Sequence, residues 1–174
     1  MPQFEEVSVS RYPALSDSIR EALTKIVPSK AGQLLYYPCR VTLESGERLD
    51  TVYIEPEKPY LRIWGVYPEE DKGKKWIRIQ DVVAVEDSPV RLPARFANEI
   101  YSQGESGMGY TIFTVAFSDG KRQAFVTGNA VDFIHYPPGK GPNDVIGVEP
   151  HEGRNAEPIV TPDWYWCLYS EEVE

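Results

Sequence analysis

The chain predicts an α+β fold that is mainly β, with two short helices and about ten short antiparallel strands. Three observations predict it. Runs of β-branched and aromatic residues recur at short spacing, punctuated by 15 prolines and 13 glycines, which favours many short elements over long helices. Two runs fold back on themselves at turn residues. The clearer hairpin spans Tyr110 to Val126 and turns at Ser118-Asp119-Gly120, because Gly accepts the positive φ of a tight turn. The fainter spans Tyr37 to Ile54 and turns at Glu44-Ser45-Gly46. Only two windows, finally, carry helical periodicity.

In order along the chain, residues 1–14 read as extended or irregular. Ser16 to Val27 is the first helix: Ile19, Leu23, Ile26 and Val27 share one face, Asp17 or Ser18 with Glu21 offers a cap, and Pro28 stops it. Strands follow at Leu34 to Leu43, Leu49 to Glu55, Tyr60 to Tyr67, Lys75 to Gln80 and Val82 to Glu86. Within Lys75 to Gln80, Ile77 and Ile79 alternate with Trp76, Arg78 and Gln80, which predicts one buried and one wet face. Pro93 to Gln103 is the second helix, opened by Pro93, striped by Phe96, Ala97, Ile100 and Tyr101, and closed by Gly104. After the second hairpin come strands at Val131 to Tyr136 and Val145 to Glu149, separated by a Pro/Gly loop. Residues 150–162 are an extended connection, followed by the aromatic strand Trp164 to Tyr169 and an acidic tail.

The chain also matches itself. At an offset of 74 residues, Ile26 meets Ile100, Tyr36 meets Tyr110, Val41 meets Val115, Gly46 meets Gly120 and Val52 meets Val126. At an offset of 63, Asp81–Glu86 meets Asp144–Glu149. The pattern predicts two similar helix-plus-sheet halves, 1–88 and 89–152, with 153–174 appended, all in one body. A helix followed by about five short strands resembles the small barrels of the Sm-like family, and Ile77 to Val83 is similar to the end of such a barrel. The likeness covers about half of the chain. It implies a helix-plus-small-barrel fold; RNA binding is not carried over from the family and stands only as a third functional reading. The Arg-Gly pair of that family is absent, since Ile79 follows Arg78, and its RNA-reading Asp and Asn are not found near Ser45-Gly46.

The net charge of −9 disfavours nucleic acid and anionic membranes, because nothing is gained from neutralising phosphate. From Asp144 to Glu174 eight acids face Arg154 alone. The one basic run, Lys72, Lys74 and Lys75, adjoins Glu69-Glu70-Asp71 and reads as a solvated loop. Cys39 and Cys167 form no disulfide framework, and Cys39, in an apolar stretch, reads as an inert buried thiol. No secretory signal and no membrane span is legible, so a cytoplasmic protein of bacterial style is expected. A protein partner, itself basic, is expected, homo-oligomerisation is compatible with the chain, and no cofactor is implied.

Candidate chemistry is sparse. Gly104-Glu105-Ser106-Gly107-Met108-Gly109 spends three glycines in six residues, which signals a tight turn or a close approach. It is not a nucleophile elbow: Met108 replaces the second Gly, and helix precedes strand. It lacks the Lys of a phosphate loop, and Glu105 repels an anion. A structural loop is the main reading, and a ligand-lining one through Gly104, Gly107, Gly109 and Tyr110 the second. The catalytic candidates are Glu105, Ser106, Asp132, His135 and His151. The metal candidates are Asp144, Glu149 and His151, at no standard ligand spacing. If 131–136 is a strand, Asp132 and His135 point to opposite faces. Trp164, Tyr165, Trp166 and Tyr169, flanked by acids, suit either a recognition surface or a last strand closing the core. The leading expectation is a non-catalytic binding or adaptor module, in one form an acidic, immunity-type inhibitor of a basic protein. The alternative is a small enzyme or small-ligand or metal-binding protein using the glycine loop and segment 132–152.

Overall fold

The computed structural model describes residues 10–171, so most of the extended 1–14 segment and the end of the acidic tail lie outside the described residues. Ser16, rather than Asp17 or Ser18, caps helix α1 (Asp17–Leu23): its Oγ accepts from Ile19 N–H at 3.3 Å. The helix stops at Leu23, four residues short of the periodic pattern, although Ile26 beyond it is still buried. Strands β1 (Ser29–Ala31), β2 (Leu34–Leu43) and β3 (Arg48–Pro56) follow.

Helix α2 (Glu57–Trp64) replaces the strand expected at Tyr60 to Tyr67. The aromatic and β-branched residues there suggest a strand, but the punctuation decides. Pro59 falls in the first turn, where no intrahelical donor is lost. Gly65, at φ 71°, closes the helix by donating to Leu61 O at 2.8 Å. Strand β4 is only Lys75–Trp76. The rest of its expected length turns into a 3-10 helix, Ile79–Asp81, that still buries Ile79. Strand β5 (Val82–Glu86), helix α3 (Ala94–Ser102) and strands β6 (Thr111–Phe117) and β7 (Arg122–Thr127) come next. Residues 131–136 form no strand. A single bridge ties Phe133 to Arg91, and the segment descends into the interior. A 3-10 helix, Pro142–Asp144, leads into β8 (Val145–Pro150). Then β9 (Ile159–Val160) interrupts the expected extended connection, and β10 (Tyr165–Tyr169) is the aromatic strand.

The fold is α+β and mainly β, with three α-helices and ten strands among the described residues. Both sheets are mixed rather than antiparallel; the first branches at β2 and the second is linear, and no pairing joins the ends of either into the expected small barrel. The first runs β1-β2-β3-β10-β4, with β5 also on β2, and β10 lies parallel to both β3 and β4. The second runs β8-β6-β7-β9, with β9 parallel to β7.

The offsets seen in the sequence recur in the hydrogen-bond register. Val41, Thr42 and Leu43 pair Val85, Ala84 and Val82, while Val115, Ala116 and Phe117 pair Val148, Gly147 and Val145. The register slips at Thr42/Leu43 in one sheet and at Ala116/Phe117 in the other. Glu44 N–H donates to Asp81 O, and Ser118 N–H to Asp144 O, both at 2.8 Å. Helix α1 packs beside β5, and α3 beside β8.

Three apolar clusters result. Ile19, Leu23 and Ile26 meet Cys39, Val41, Val52, Ile54 and Cys167 on one face of the first sheet. Phe96, Ala97 and Ile100 meet Phe113, Val115 and Phe125 on the second sheet. Between the halves lies an aromatic seam of Tyr36, Tyr53, Tyr60, Phe133 and Trp166. Tyr53 and Trp166 lie tilted with centroids 5.2 Å apart, and Tyr60 meets Trp166 edge-on at the same separation. No described helix is long and apolar enough to cross a membrane.

Candidate functional site

The seam opens at one end into a cleft of about 390 Å³. Trp64 from α2, Lys74 and Lys75 from the loop and start of β4, Gly109, Asn129, and Asp163 with Trp164 and Trp166 line it. Trp64 and Asn129 also line a neighbouring recess of about 230 Å³, which reaches Tyr36, Tyr101, Gly104 and Glu105. The geometry of the cleft follows from the strands. Tyr53 and Trp166 are register partners, and Glu55 and Leu168 are the next pair on that face. Glu55 is therefore carried to the same side as Trp166.

Glu55 is fully buried, and neither carboxylate oxygen has a hydrogen-bond partner among the described residues. Burial pushes its carboxyl up to about 9, opposed by the charge of Lys74. The Tyr60 hydroxyl and Trp64 Nε1 are likewise buried without partners. Above them, Lys74 Nζ stands 4.0 Å from the centroid of Trp64 and 5.7 Å from those of Tyr60 and Trp166. Its nearest carboxylate, Asp71 Oδ2, is 3.7 Å away. Burial lowers the Lys74 ammonium from its ordinary value, against the pull of Asp71 and Glu55. At the rim, Lys75 pairs with Asp163 at 3.0 Å.

The basic run read as a solvated loop thus sends its middle residue into an aromatic cage. Glu55 and Trp64 escaped sequence reasoning as well. The available signal was a single carboxylate closing the apolar run Val52-Tyr53-Ile54-Glu55.

The sequence candidates are dispersed. Asp132 is fully buried at the seam, where Ser29 Oγ and the Tyr101 hydroxyl donate to its carboxylate, and its own N–H donates to the Tyr53 oxygen at 3.1 Å. Burial raises this carboxyl, while Arg91 and the hydroxyls pull it down. Arg91 also donates to Val27 O and to Ser29 Oγ. The cluster ties the halves together. His135, three residues on, is exposed. Asp132 and His135 therefore share no site.

The glycine loop is built by its own contacts. Gly104 and Gly109 have φ 72° and 79°, and a Cβ on Gly107 would clash with the hydroxyl edge of the Tyr110 ring. Glu105 Oε2 accepts from Gly109 N–H at 3.1 Å. Gly104 and Glu105 reach the smaller recess and Gly109 the cleft, whereas Tyr110 turns away to Arg154, which donates to its hydroxyl at 3.0 Å. Ser106 and His151 do meet. Ser106 Oγ is 2.7 Å from His151 Nδ1, His151 Nε2 is 3.0 Å from Gln103 O, and Ile112 N–H donates to Ser106 Oγ at 2.9 Å. His151 holds φ 66°.

The expected metal set comes apart. Asp144 caps Gly141 N–H at 2.8 Å, Glu149 pairs with Arg122, and His151 serves Ser106. No group of three or more potential ligands occurs among the described residues. Of the aromatic candidates, Trp166 and Tyr169 are buried, so they close the core, while Trp164 and Tyr165 are half-buried. Cys39 and Cys167 share one core cluster as free thiols, and burial pushes Cys39 up to about 12. No family model, no curated protein and no solved structure matches the chain.

Proposed function

We propose that this chain is a non-catalytic binding module that receives a basic partner at the cleft between its halves. The observation that carries this reading is the Lys74 ammonium held among Trp64, Tyr60 and Trp166: the cleft already houses a cation of its own. The net charge of −9 adds attraction at long range. An immunity-type inhibitor of a basic protein is one form of such a module, in which a Lys or Arg of the partner enters the cleft while acids at the rim steer it.

A Lys- and Arg-rich decapeptide, titrated against a neutral peptide of equal length, tests the reading by tryptophan fluorescence. Saturable quenching by the basic peptide alone is expected, with an association rate that falls as salt rises. Trp164→Ala should weaken binding about tenfold. No saturation by the basic peptide, or an association rate indifferent to salt, would overturn it.

A second reading rests on the Ser106–His151 hydrogen bond. A hydroxyl 2.7 Å from an imidazole whose other nitrogen is anchored by a carbonyl has the arrangement of a nucleophile and its base. This small-enzyme reading expects Ser106 to be labelled by a fluorophosphonate and His151→Ala to abolish labelling. An unlabelled wild-type chain would remove it.

A further inference from the structure

We propose that the cleft between Trp64, Trp164 and Trp166 is a methylated-ammonium site that Lys74 keeps filled until such a cation displaces it. This rests on the binding reading above and adds the chemistry of the group bound.

The first argument is the mismatch between Lys74 and its surroundings. A primary ammonium carries three N–H donors. Among the described residues, Lys74 Nζ makes an ion pair with Asp71 Oδ2 at 3.7 Å but no hydrogen bond within 3.5 Å. The cage answers the charge of the group but not its donors. A trimethylammonium group has the same charge and no donors, so it gives up nothing on leaving water that the cage fails to return. Its methyl groups meet ring faces, where cation–π attraction is strongest for a desolvated cation.

The second argument is Glu55. A carboxyl that is wholly buried, with both oxygens unpartnered, is costly unless something compensates it. Among the described residues, Lys74 is the cation that acts on it. Tyr36 from β2, Tyr60 from α2 and Tyr169 from β10 complete its titratable surroundings. Glu55 keeps its proton unless a charge stands beside it, and a cation fixed in the cage supplies that charge permanently, whereas a half-buried lysine on a loop does so only while it points inward.

The third argument is the setting of Lys74. It follows Gly73, at φ 91°, on a segment held by Lys74 N–H to Asp71 O at 3.1 Å. It precedes the two-residue strand β4, whose side chains are exposed. Swinging the side chain out gives up its 3.7 Å approach to Asp71 and its ring contacts, which an entering cation takes over.

The experiment titrates tetramethylammonium chloride, and separately ammonium chloride at matched ionic strength, into the full chain while tryptophan fluorescence is followed. Tetramethylammonium should saturate the signal and ammonium should not. Lys74→Ala should bind tetramethylammonium about tenfold more tightly, because the internal competitor is gone. Trp64→Leu should weaken binding about tenfold. Near-UV circular dichroism checks folding, and Trp164→Leu on the other wall replaces Trp64→Leu should the latter unfold. The proposal is overturned if Lys74→Ala shows no saturable binding, if removing a wall tryptophan leaves affinity unchanged, or if ammonium binds as well as tetramethylammonium. A basic peptide that binds where tetramethylammonium does not would keep the docking reading and remove this one, and the converse result would keep the cage and remove the protein partner.

Discussion

In the first hairpin unit, β3 is flanked by β10, which buries Trp166, Cys167, Leu168 and Tyr169. In the second, the matching strand β7 is flanked by β9, two residues whose side chains stay 41% and 70% exposed. Nearer the turns the units agree in the pairing of β2 with β5 and of β6 with β8, in the position of the slip there, and in the bond from the residue after β2 or β6 back to the 3-10 helix, although β2–β3 carries a second slip at Cys39/Val41 that β6–β7 lacks. The segments that leave the hairpins differ again. After β3 the chain makes α2 and the Lys74 loop, whereas after β7 it makes the short buried run through Asp132. The repeated parts make two similar frames, and the cleft is built from the parts that do not repeat. A frame fixed by register tolerates additions at its edges, and a site needs side chains that a symmetric pair of sheets would not supply.

Breaking the two flanking strands in parallel tests that division most strongly. Trp166→Ala should cost about 4 kcal/mol, since a large buried aromatic is removed from the seam. Val160→Ala, at the exposed edge of the other unit, should stay within about 0.5 kcal/mol of wild type. Urea denaturation measures both. Equal costs would mean that β10 and β9 are not structurally unequal.

Asp132→Ala should cost about 3 kcal/mol, because Ser29, Tyr101 and Arg91 then lose a buried acceptor or counter-charge. The loss should make the halves unfold separately, which would show as two transitions by calorimetry. A single, unshifted transition would deny the seam its role as a clamp. The two hairpin turns offer a smaller and symmetric test. Gly46 and Gly120 have φ 89° and 84° with open space around them. Alanine at either should cost about 1 kcal/mol, and the same at both, by denaturant midpoint.

A last effect depends on pH. The folded Glu55 carboxyl lies at about 9, against an ordinary 4.5. Across that window the folded chain holds a proton that the unfolded chain has released, so stability falls as pH rises. Glu55→Gln removes the slope. Its advantage over wild type should be near zero at pH 4.5 and grow towards pH 9, as read from thermal midpoints along a pH series. An advantage that shrinks with pH would mean that Glu55 is paired.

Much of this frame was legible in the chain. Gly46 and Gly120 announced their turns because φ near 85° is hard for any other residue, and α3 showed its stripe together with Pro93 and Gly104. The helix at Glu57–Trp64 was hidden because Tyr60, Ile63 and Trp64 are as acceptable in strands as in helices, while Pro59 and Gly65, which decide it, act through position rather than composition. The site was hidden for a different reason. Glu55, Trp64, Lys74 and Trp164 come from four separate elements, and only the parallel pairing of β10 with β3 and β4 brings them together. Asp132 was noticed as a titratable residue, but its partners Ser29, Tyr53 and Tyr101 are 31 to 103 residues away, and no local spacing records them. Ser106 and His151, 45 residues apart, met only because β6 and β8 are neighbours.

That parallel insertion also has a consequence for how the protein is made. Strand β10 fills the slot between β3 and β4, yet it leaves the ribosome about a hundred residues after β3. Until then the first sheet is split, and the open edge of β3 exposes backbone donors and acceptors to any other extended chain. Both core hairpins close on themselves as they emerge, but β7 waits only about thirty residues for its outer partner β9. During synthesis, the later-made half is therefore the first to be able to complete its sheet, and the earlier-made half is the one that a chaperone would need to shield.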